Sequence, residues 1–396
     1  MRLWQQIIAV VGLNLRSLPQ RFVTSLVIVV GIAGVVTVLI GALSFATGLQ
    51  HTLASTGRPD RAIVLHKQAI DEVGSTLPHE YVATILDAPG IARAADGKPL
   101  ASAEMLATIN LPRRSDGQLG TLILRGVSQE AMQLRPELRL VEGRMFRRGV
   151  HELIAGRAAQ DRYRGLNVGS RFVFGPTEWR IVGAFDSGGG AHDSELLGDA
   201  DTVLSAYQRT TYNSVIIGLD GSQGFDRLIA AADKDPTLSV LVRRESQYYE
   251  QQSQSFARLL SVIAEVVGSI MAIGAVFAAL NTMYSAVASR TVEIATLRAI
   301  GFSSFPVLVS VIIEALLLAV IGALLGAAIA WLAVNGNTVS TISGGSGLAQ
   351  VVFHLRIGMA LVTVGIIWAC VVGLIGGLLP AIRAARLPVA TALRAV

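Results

Sequence analysis

Four apolar runs interrupt the pattern of hydrophobic and polar positions along this chain, at residues 22–45, 259–284, 306–334 and 357–379. Each is long enough to cross a bilayer as a helix, which takes roughly 20 apolar residues. The first and fourth contain no charged side chain; the second and third carry one glutamate each, Glu265 and Glu314. Backbone amides in hydrocarbon must be satisfied within the segment, so each run is predicted as a helix, the second continuing to 288. Arg2, Arg16 and Arg21 precede the first run, as in a secretory signal. Its uncharged stretch exceeds the roughly 7–15 residues of a signal's apolar region, so it is expected to stay as a membrane helix.

Between the first two runs, residues 50–258 show a soluble α/β pattern. Alternation predicts strands at 61–66, 100–110, 212–219 and 238–242. A helix is predicted over 76–86, with Ser75 or Thr76 as its cap and Pro78 in its first turn, and another over 223–232. These β-α-β patterns flank an insertion, 111–210, with strands at 119–126, 171–174 and 178–185 and a short helix within 152–163. Residues 245–256 are glutamine-rich and lack Gly and Pro, which predicts a helical stalk running into the second apolar run. The expected fold is α-helical and membrane-embedded, with four transmembrane helices and a large extracytoplasmic α/β plus β-rich domain inserted between helices 1 and 2. Its segments are an amphipathic 1–21, helix 22–45, the external domain 50–258, helix 259–288, a cytoplasmic 289–305, helix 306–334, an external loop 335–356, helix 357–379 and a tail 380–396.

Composition agrees: 52% hydrophobic and 15% charged residues, with a mean hydropathy of +0.54, belong to the membrane class. Charge sets the orientation. The segments before 22, between 289 and 305, and after 379 hold eight basic residues and one acid, while 50–258 holds 24 basic and 25 acidic residues. By the positive-inside rule both termini and 289–305 are cytoplasmic. The pI of 9.6 thus reflects topology, and no basic face with interleaved aromatics suggests a nucleic-acid partner. Cys370 is the single cysteine, so an intrachain disulfide is excluded, and it is read as an inert buried hydrophobe.

Catalytic signatures fail one by one. His151-Glu152 begins a zinc-protease motif, but Ala155 stands where the second histidine is required. His192, Asp193, Glu195, Asp199 and Asp201 follow three glycines; oxygen-rich stretches can hold calcium, and the preferred reading is a solvated polar loop. Gly344-Gly345-Ser346-Gly347 reads as an external turn, not a nucleophile elbow. No G-x-x-x-x-G-K-[ST] occurs, so no ATP site and no cofactor are expected on this chain. Glu314 and Glu265 are functional candidates because an intramembrane acid is costly; the other reading makes each protonated or hydrogen-bonded at a helix interface. Gly322 with Gly326, and Gly373 with Gly377, have the spacing that lets helices approach closely. In 289–305, Arg290, Glu293, Leu297 and Gly301 fall near one helical face, and Gly301 ends the helix. Ile294 and Leu297 are expected as apolar contacts for a soluble partner, with Arg290, Glu293 and Arg298 at the rim. The plainer alternative is a connector lying on the membrane surface.

Asn281-Thr282-Met283, followed by Arg290-Thr291-Val292-Glu293-Ile294-Ala295-Thr296-Leu297-Arg298-Ala299-Ile300-Gly301, closely resembles the coupling region of the MacB/FtsX-like (type VII) permease family of ABC transporters. Three further stretches agree in order. Leu13-Asn14-Leu15-Arg16-Ser17-Leu18 resembles the family's lead-in to its first helix. Ile313-Glu314-Ala315-Leu316, with Gly322 and Gly326, resembles its third helix. Leu379-Pro380-Ala381-Ile382-Arg383-Ala384-Ala385-Arg386-Leu387-Pro388, then Ala392-Leu393-Arg394, resembles its closing motif. Glu142-Gly143-Arg144-Met145-Phe146 and Val168-Gly169-Ser170 resemble short motifs of the external domain. The resemblance implies a non-catalytic permease in a bacterial inner membrane, paired with a second permease copy, identical in preference to a paralogue. It also implies two copies of an ABC ATPase that carry ATP and Mg and dock on Arg290, Glu293, Ile294, Leu297, Arg298 and Gly301, and a periplasmic adaptor is a further expected partner. Motion from ATP hydrolysis would reach the external domain to export or extract a substrate. The alternative is a signalling device that regulates an external enzyme such as a cell-wall hydrolase.

Overall fold

The computed structural model describes residues 3–17, 22–174, 177–340 and 352–387. The readings on Arg2, Arg21, residues 344–347 and Arg394 lie outside them. In chain order the elements begin with helices α1 (Leu3–Ser17) and α2 (Phe22–Thr56), then strands β1 (Arg61–His66) and β2 (Leu77–Pro78) and helix α3 (His79–Leu86). There follow β3 (Ala101–Pro112), β4 (Leu119–Val127), α4 (Ala131–Leu134), β5 (Arg139–Gly143), β6 (Glu152–Gly156), α5 (Arg157–Arg162), β7 (Arg171–Phe174) and β8 (Thr177–Asp186). A 3-10 turn (Ala191–Ser194) leads to β9 (Glu195–Asp199), α6 (Ala200–Ala206), β10 (Thr211–Tyr212), β11 (Ser214–Gly218), α7 (Gly224–Lys234) and β12 (Val240–Arg244). The rest is α8 (Glu245–Ser289), α9 (Thr291–Ala299), α10 (Ser304–Val334), β13 (Thr338–Ser340), β14 (Val352–His354) and α11 (Met359–Ala385). These form two units: residues 1–47, 257–337 and 355–396, here the membrane unit, and residues 48–256 with 338–354, the external unit.

The external unit is built on one ten-stranded sheet of order β12-β1-β11-β3-β4-β9-β6-β8-β5, with β7 also on β8. The two flanking patterns and the insertion read from the sequence are therefore not separate sheets. β3 joins them: Ala101–Glu104 pair with β11, and from Met105 onward the same strand pairs with β4. Its core packs Val64, Met105, Leu122, Leu153, Trp179, Ile181, Leu196 and Val215. The helix expected from 76 starts at His79 instead. Leu77–Pro78 pair with Thr211–Tyr212, and Ser75 is buried with its hydroxyl accepting from the His66 amide at 2.9 Å, so it cannot cap. The stretch 192–201 is not a solvated loop either. His192, Asp193, Glu195 and Asp199 are buried, and β9 lies between β4 and β6. Within the expected external loop 335–356, Thr338–Ser340 pair with Val352–His354.

Among the described residues, four helices are long and apolar enough to cross a membrane: residues 25–56 of α2, α8, α10 and α11. The polar stalk and the apolar run after it are one helix, the 45 residues of α8. The glycines work as contact points. A Cβ on Gly322 or Gly326 would come within 2.9 or 2.5 Å of the backbone oxygens of Val29 and Ala33 on α2. On α11, a Cβ on Gly373 or Gly377 would come within 2.7 or 2.6 Å of Ala319 and Ala315 of α10. Cys370 is half-buried in α11. Gly326→Val is expected to cost about 1–3 kcal/mol because backbone, not a flexible side chain, must yield. A lowered Tm in detergent checks this; Gly274→Ala, which meets nothing within 4 Å, should leave Tm unchanged or raised.

Candidate functional site

The sequence motif of 289–305 folds as α9, bounded by two devices. Gly301, at φ +102°, turns the chain out of the helix, with the amides of Gly301 and Phe302 donating to Arg298 and Leu297 carbonyls. At the other end Arg290 turns inward. It is 6% exposed, and its Nη1 lies 3.4 Å from Oε2 of Glu314 on α10. Asn14 of α1 donates to the same oxygen at 3.1 Å and also contacts the Ser310 hydroxyl. One buried cluster therefore ties α1, α9 and α10 together, and removing one partner of a buried ion pair costs far more than the pair is worth. Arg298 reaches the Leu387 carbonyl beyond α11, and the Arg383 guanidinium stacks over Tyr284 at 5.4 Å.

The structure places several residues expected at a docking surface inside the membrane unit. Arg290, expected at a rim, is an internal strut. Ile294, expected as an outward anchor, is 7% exposed and packs in the core of the membrane unit. Leu297 and Arg298 are half-buried, and Glu293 is exposed. The outward apolar surface is Val292, Ile300 (69% exposed) and Phe305 (54% exposed). Glu265 is exposed on α8. Sequence reasoning missed Asn14 and Ser310 as partners of Glu314; the available signal was a polar side chain on α1 beside an intramembrane acid.

The external unit holds a second charge cluster, entirely buried. Arg125 on β4 donates to Glu195 at 2.8 and 2.9 Å, to Glu72 at 2.7 and 3.2 Å, and to Glu104 at 2.7 Å. Arg135 approaches Glu104 from a second side, with two bonds at 2.5 and 3.0 Å. His192 Nδ1 lies 3.0 Å from Glu195, and the Ser214 hydroxyl donates to Glu72 at 2.6 Å. Close by in the fold, Arg61 donates to Glu245 at 2.6 Å, pairs with Glu137 at 2.7 Å, and donates to the Thr56 and Leu134 carbonyls. Thr56 ends α2 and Glu245 begins α8, so the ends of both long helices are fastened to β1 by the one buried guanidinium of Arg61. Among the described residues no group of three or more His, Cys, Asp or Glu side chains fits a metal ion; Glu195 is already held by Arg125.

Burial pushes the Glu104 carboxyl up, but Arg135 and Arg125 overcome it and hold it at about 2, from an ordinary 4.5. Arg125 and His192 likewise hold Glu195 well below its usual range against burial. A carboxylate whose folded pKa is lowered adds stability that is complete above its unfolded pKa and lost as pH falls through the folded one. Protease resistance of the external unit is therefore expected to stay flat down to pH about 4.5 and to fall between there and pH about 2. Loss of resistance already above pH about 5 would show that these carboxylates are not the acid-sensitive groups.

An apolar helical bundle with an α/β domain following its first long helix has the make-up of a membrane protein with one large domain outside the bilayer. The MacB-like periplasmic core domain matches residues 22–235 and the FtsX-like permease C-terminal domain residues 265–389, so the chain belongs to the MacB/FtsX-like family of ABC transporter permeases. Among relatives, an uncharacterised ABC transporter permease of Methanocaldococcus jannaschii is 29% identical over 168 residues, covering 40% of this chain and 44% of its own length. The macrolide export ATP-binding/permease protein MacB of Psychrobacter cryohalolentis is 24% identical over 234 residues, covering 56% and 33%. The chain thus matches less than half the length of these relatives. The periplasmic region of MacB from Actinobacillus actinomycetemcomitans aligns at a TM-score of 0.38 and 12% identity, over 52% of this chain and 97% of that one, a likeness too low to decide the fold.

Proposed function

We propose that this chain is the permease subunit of an ABC transporter, receiving ATP-driven motion at α9 and delivering it through α2 and α8 to the external unit. In this reading it crosses a bacterial inner membrane four times, with α1, α9 and the C-terminus in the cytoplasm, as the arginine distribution favours. It works as a pair of permease chains with an ABC ATPase that carries the nucleotide and Mg, and exports or extracts a substrate at the outer face. The observation that carries the reading is the anchoring of α9. A nine-residue helix is tied to α10 through Arg290 and Glu314, on whose carboxylate Asn14 of α1 also converges, and to the end of α11 through Arg298, while Val292, Ile300 and Phe305 stay outward. A push on that apolar surface is felt by three other helices at once.

The test is co-purification with the ABC ATPase and stimulation of its ATP hydrolysis. Ile300→Asp places a charge on an apolar docking surface and is expected to abolish both, since a lost apolar anchor costs roughly 2 kcal/mol or more. Membrane insertion should be unchanged. Intact co-purification and stimulation in Ile300→Asp would make α9 a surface connector and overturn the docking assignment.

A further inference from the structure

The ten-stranded sheet ends at β5, which pairs with β8 along one edge only. All five of its residues are exposed, including Leu140 at 38% and Val141 at 43%. A terminal strand presents a row of backbone N–H and C=O groups that have no ladder partner. Arg139 and Glu142 flank the two apolar residues, and neither forms an ion pair among the described residues. Their outer neighbours Glu137 and Arg144 are already held by Arg61 and Glu152. Three positions apart, Arg139 and Glu142 would point to opposite faces of a regular strand. The bulge at Val141 changes that. Arg139 lies opposite Asp186 and Glu142 opposite Ala184, two positions apart on β8, so both side chains share one face.

We infer that β5 pairs antiparallel with β5 of a second copy of this chain, about a two-fold axis between Leu140 and Val141. In that register Arg139 of each chain faces Glu142 of the other, and Leu140 faces Val141, so two ion pairs form at once. Alignment centred on Arg139 or on Glu142 would set like charges opposite each other. Charges and bulges on an edge discourage pairing with strands in general. This order of charge favours one strand, its own copy run backwards, and that self-complementarity points to a second copy as the occupant. Strands of five residues bury well under the roughly 1,000 Å² of a lasting interface. The contact therefore needs the chains to be held together elsewhere, which raises their effective concentration, and so it rests on the reading of a paired permease.

The test uses full-length chains carrying two different tags, co-expressed in membranes, in a Cys370→Ser background that removes the single native thiol. Positions 139, 141 and 142 are exposed, so substitutions there should leave the fold intact. Val141→Cys in both chains is expected to give a disulfide dimer on oxidation, since the two Cα atoms would lie about 6 Å apart, inside the ~7 Å limit for a disulfide. Arg139→Cys on one chain should link to Glu142→Cys on the other. Arg139→Cys on both should not link, because about 10 Å of strand would separate the two positions. Arg139→Glu should slow the Val141→Cys linkage about tenfold by opposing like charges, and combining it with Glu142→Arg should restore the rate. Tagged chains that co-purify without the Val141→Cys disulfide would overturn the β5 contact and leave the paired reading standing; chains that do not co-purify would overturn both. A Val141→Cys adduct with a different protein, equal linkage in every register, or no restoration by the exchanged charges would also overturn the assignment.

Discussion

Arg125→Met is expected to unfold the external unit. The substitution leaves Glu72, Glu104 and Glu195 buried without the guanidinium they share, and Arg135 reaches only Glu104 of the three. Stranding one buried charge costs roughly 3–5 kcal/mol, against a total stability of about 5–15 kcal/mol for a typical domain. The variant should lose protease resistance at neutral pH. Arg125→Lys keeps the charge but not the planar fork that serves three carboxylates, and should fall between the two. Adding Glu72→Gln and Glu195→Gln to Arg125→Met should recover much of the loss, since two stranded charges are then gone. Should Arg125→Met unfold at the wild-type denaturant midpoint, the cluster contributes nothing to stability.

The second large effect is expected at the buried pair of the membrane unit. Arg290→Leu leaves the Glu314 carboxylate buried beside an aliphatic side chain and cuts one tie between α9 and α10. Stimulation of the ATPase is expected to fall by a factor of ten or more, about 1.4 kcal/mol in coupling. Glu314→Gln keeps a polar group within reach of Asn14 and Arg290 and should lose less. In the double variant neither charge of this pair remains, so activity should recover above Arg290→Leu alone, with an interaction term above about 0.5 kcal/mol. Additive losses would mean that the two residues act independently and that the contact is incidental.

Local features of this protein were legible in its sequence, and long-range ones were not. The apolar runs, the stop at Gly301, the glycine contact points at 322, 326, 373 and 377, and a stalk continuous with α8 all follow from spacing within one element. The seven strands predicted in the external unit were placed within two residues for the same reason, while β5, β6 and β9 of the same sheet were not anticipated. The paired use of β3 was hidden because its first partner, β11, lies about a hundred residues downstream. His192–Asp199 read as solvated because their composition is polar; what buries the stretch is the place of β9 between β4 and β6, with Glu195 held by Arg125, 70 residues away. An arginine within the otherwise apolar Leu122–Val127 stretch was the available clue. Likewise Asn14 meets Glu314 across 300 residues, and without that pairing Arg290 reads as a surface charge.

The Arg61–Glu245 contact sets a timetable for biogenesis. Its two residues are 184 positions apart, and Glu245 is the first residue of α8. Glu72, Glu104, Arg125 and Arg135 are synthesised early and can neutralise one another as soon as β3 and β4 meet. Arg61 gains its carboxylate at 245 only when nearly the whole external unit has been translated. Tyr248, whose hydroxyl accepts from the Glu72 amide at 3.0 Å, arrives later still. The unit can therefore close only as the polypeptide begins the helix that leads back to the bilayer. A secreted fragment ending at Arg244 would carry an open joint, whereas one extended past Tyr249 would contain every residue the joint requires.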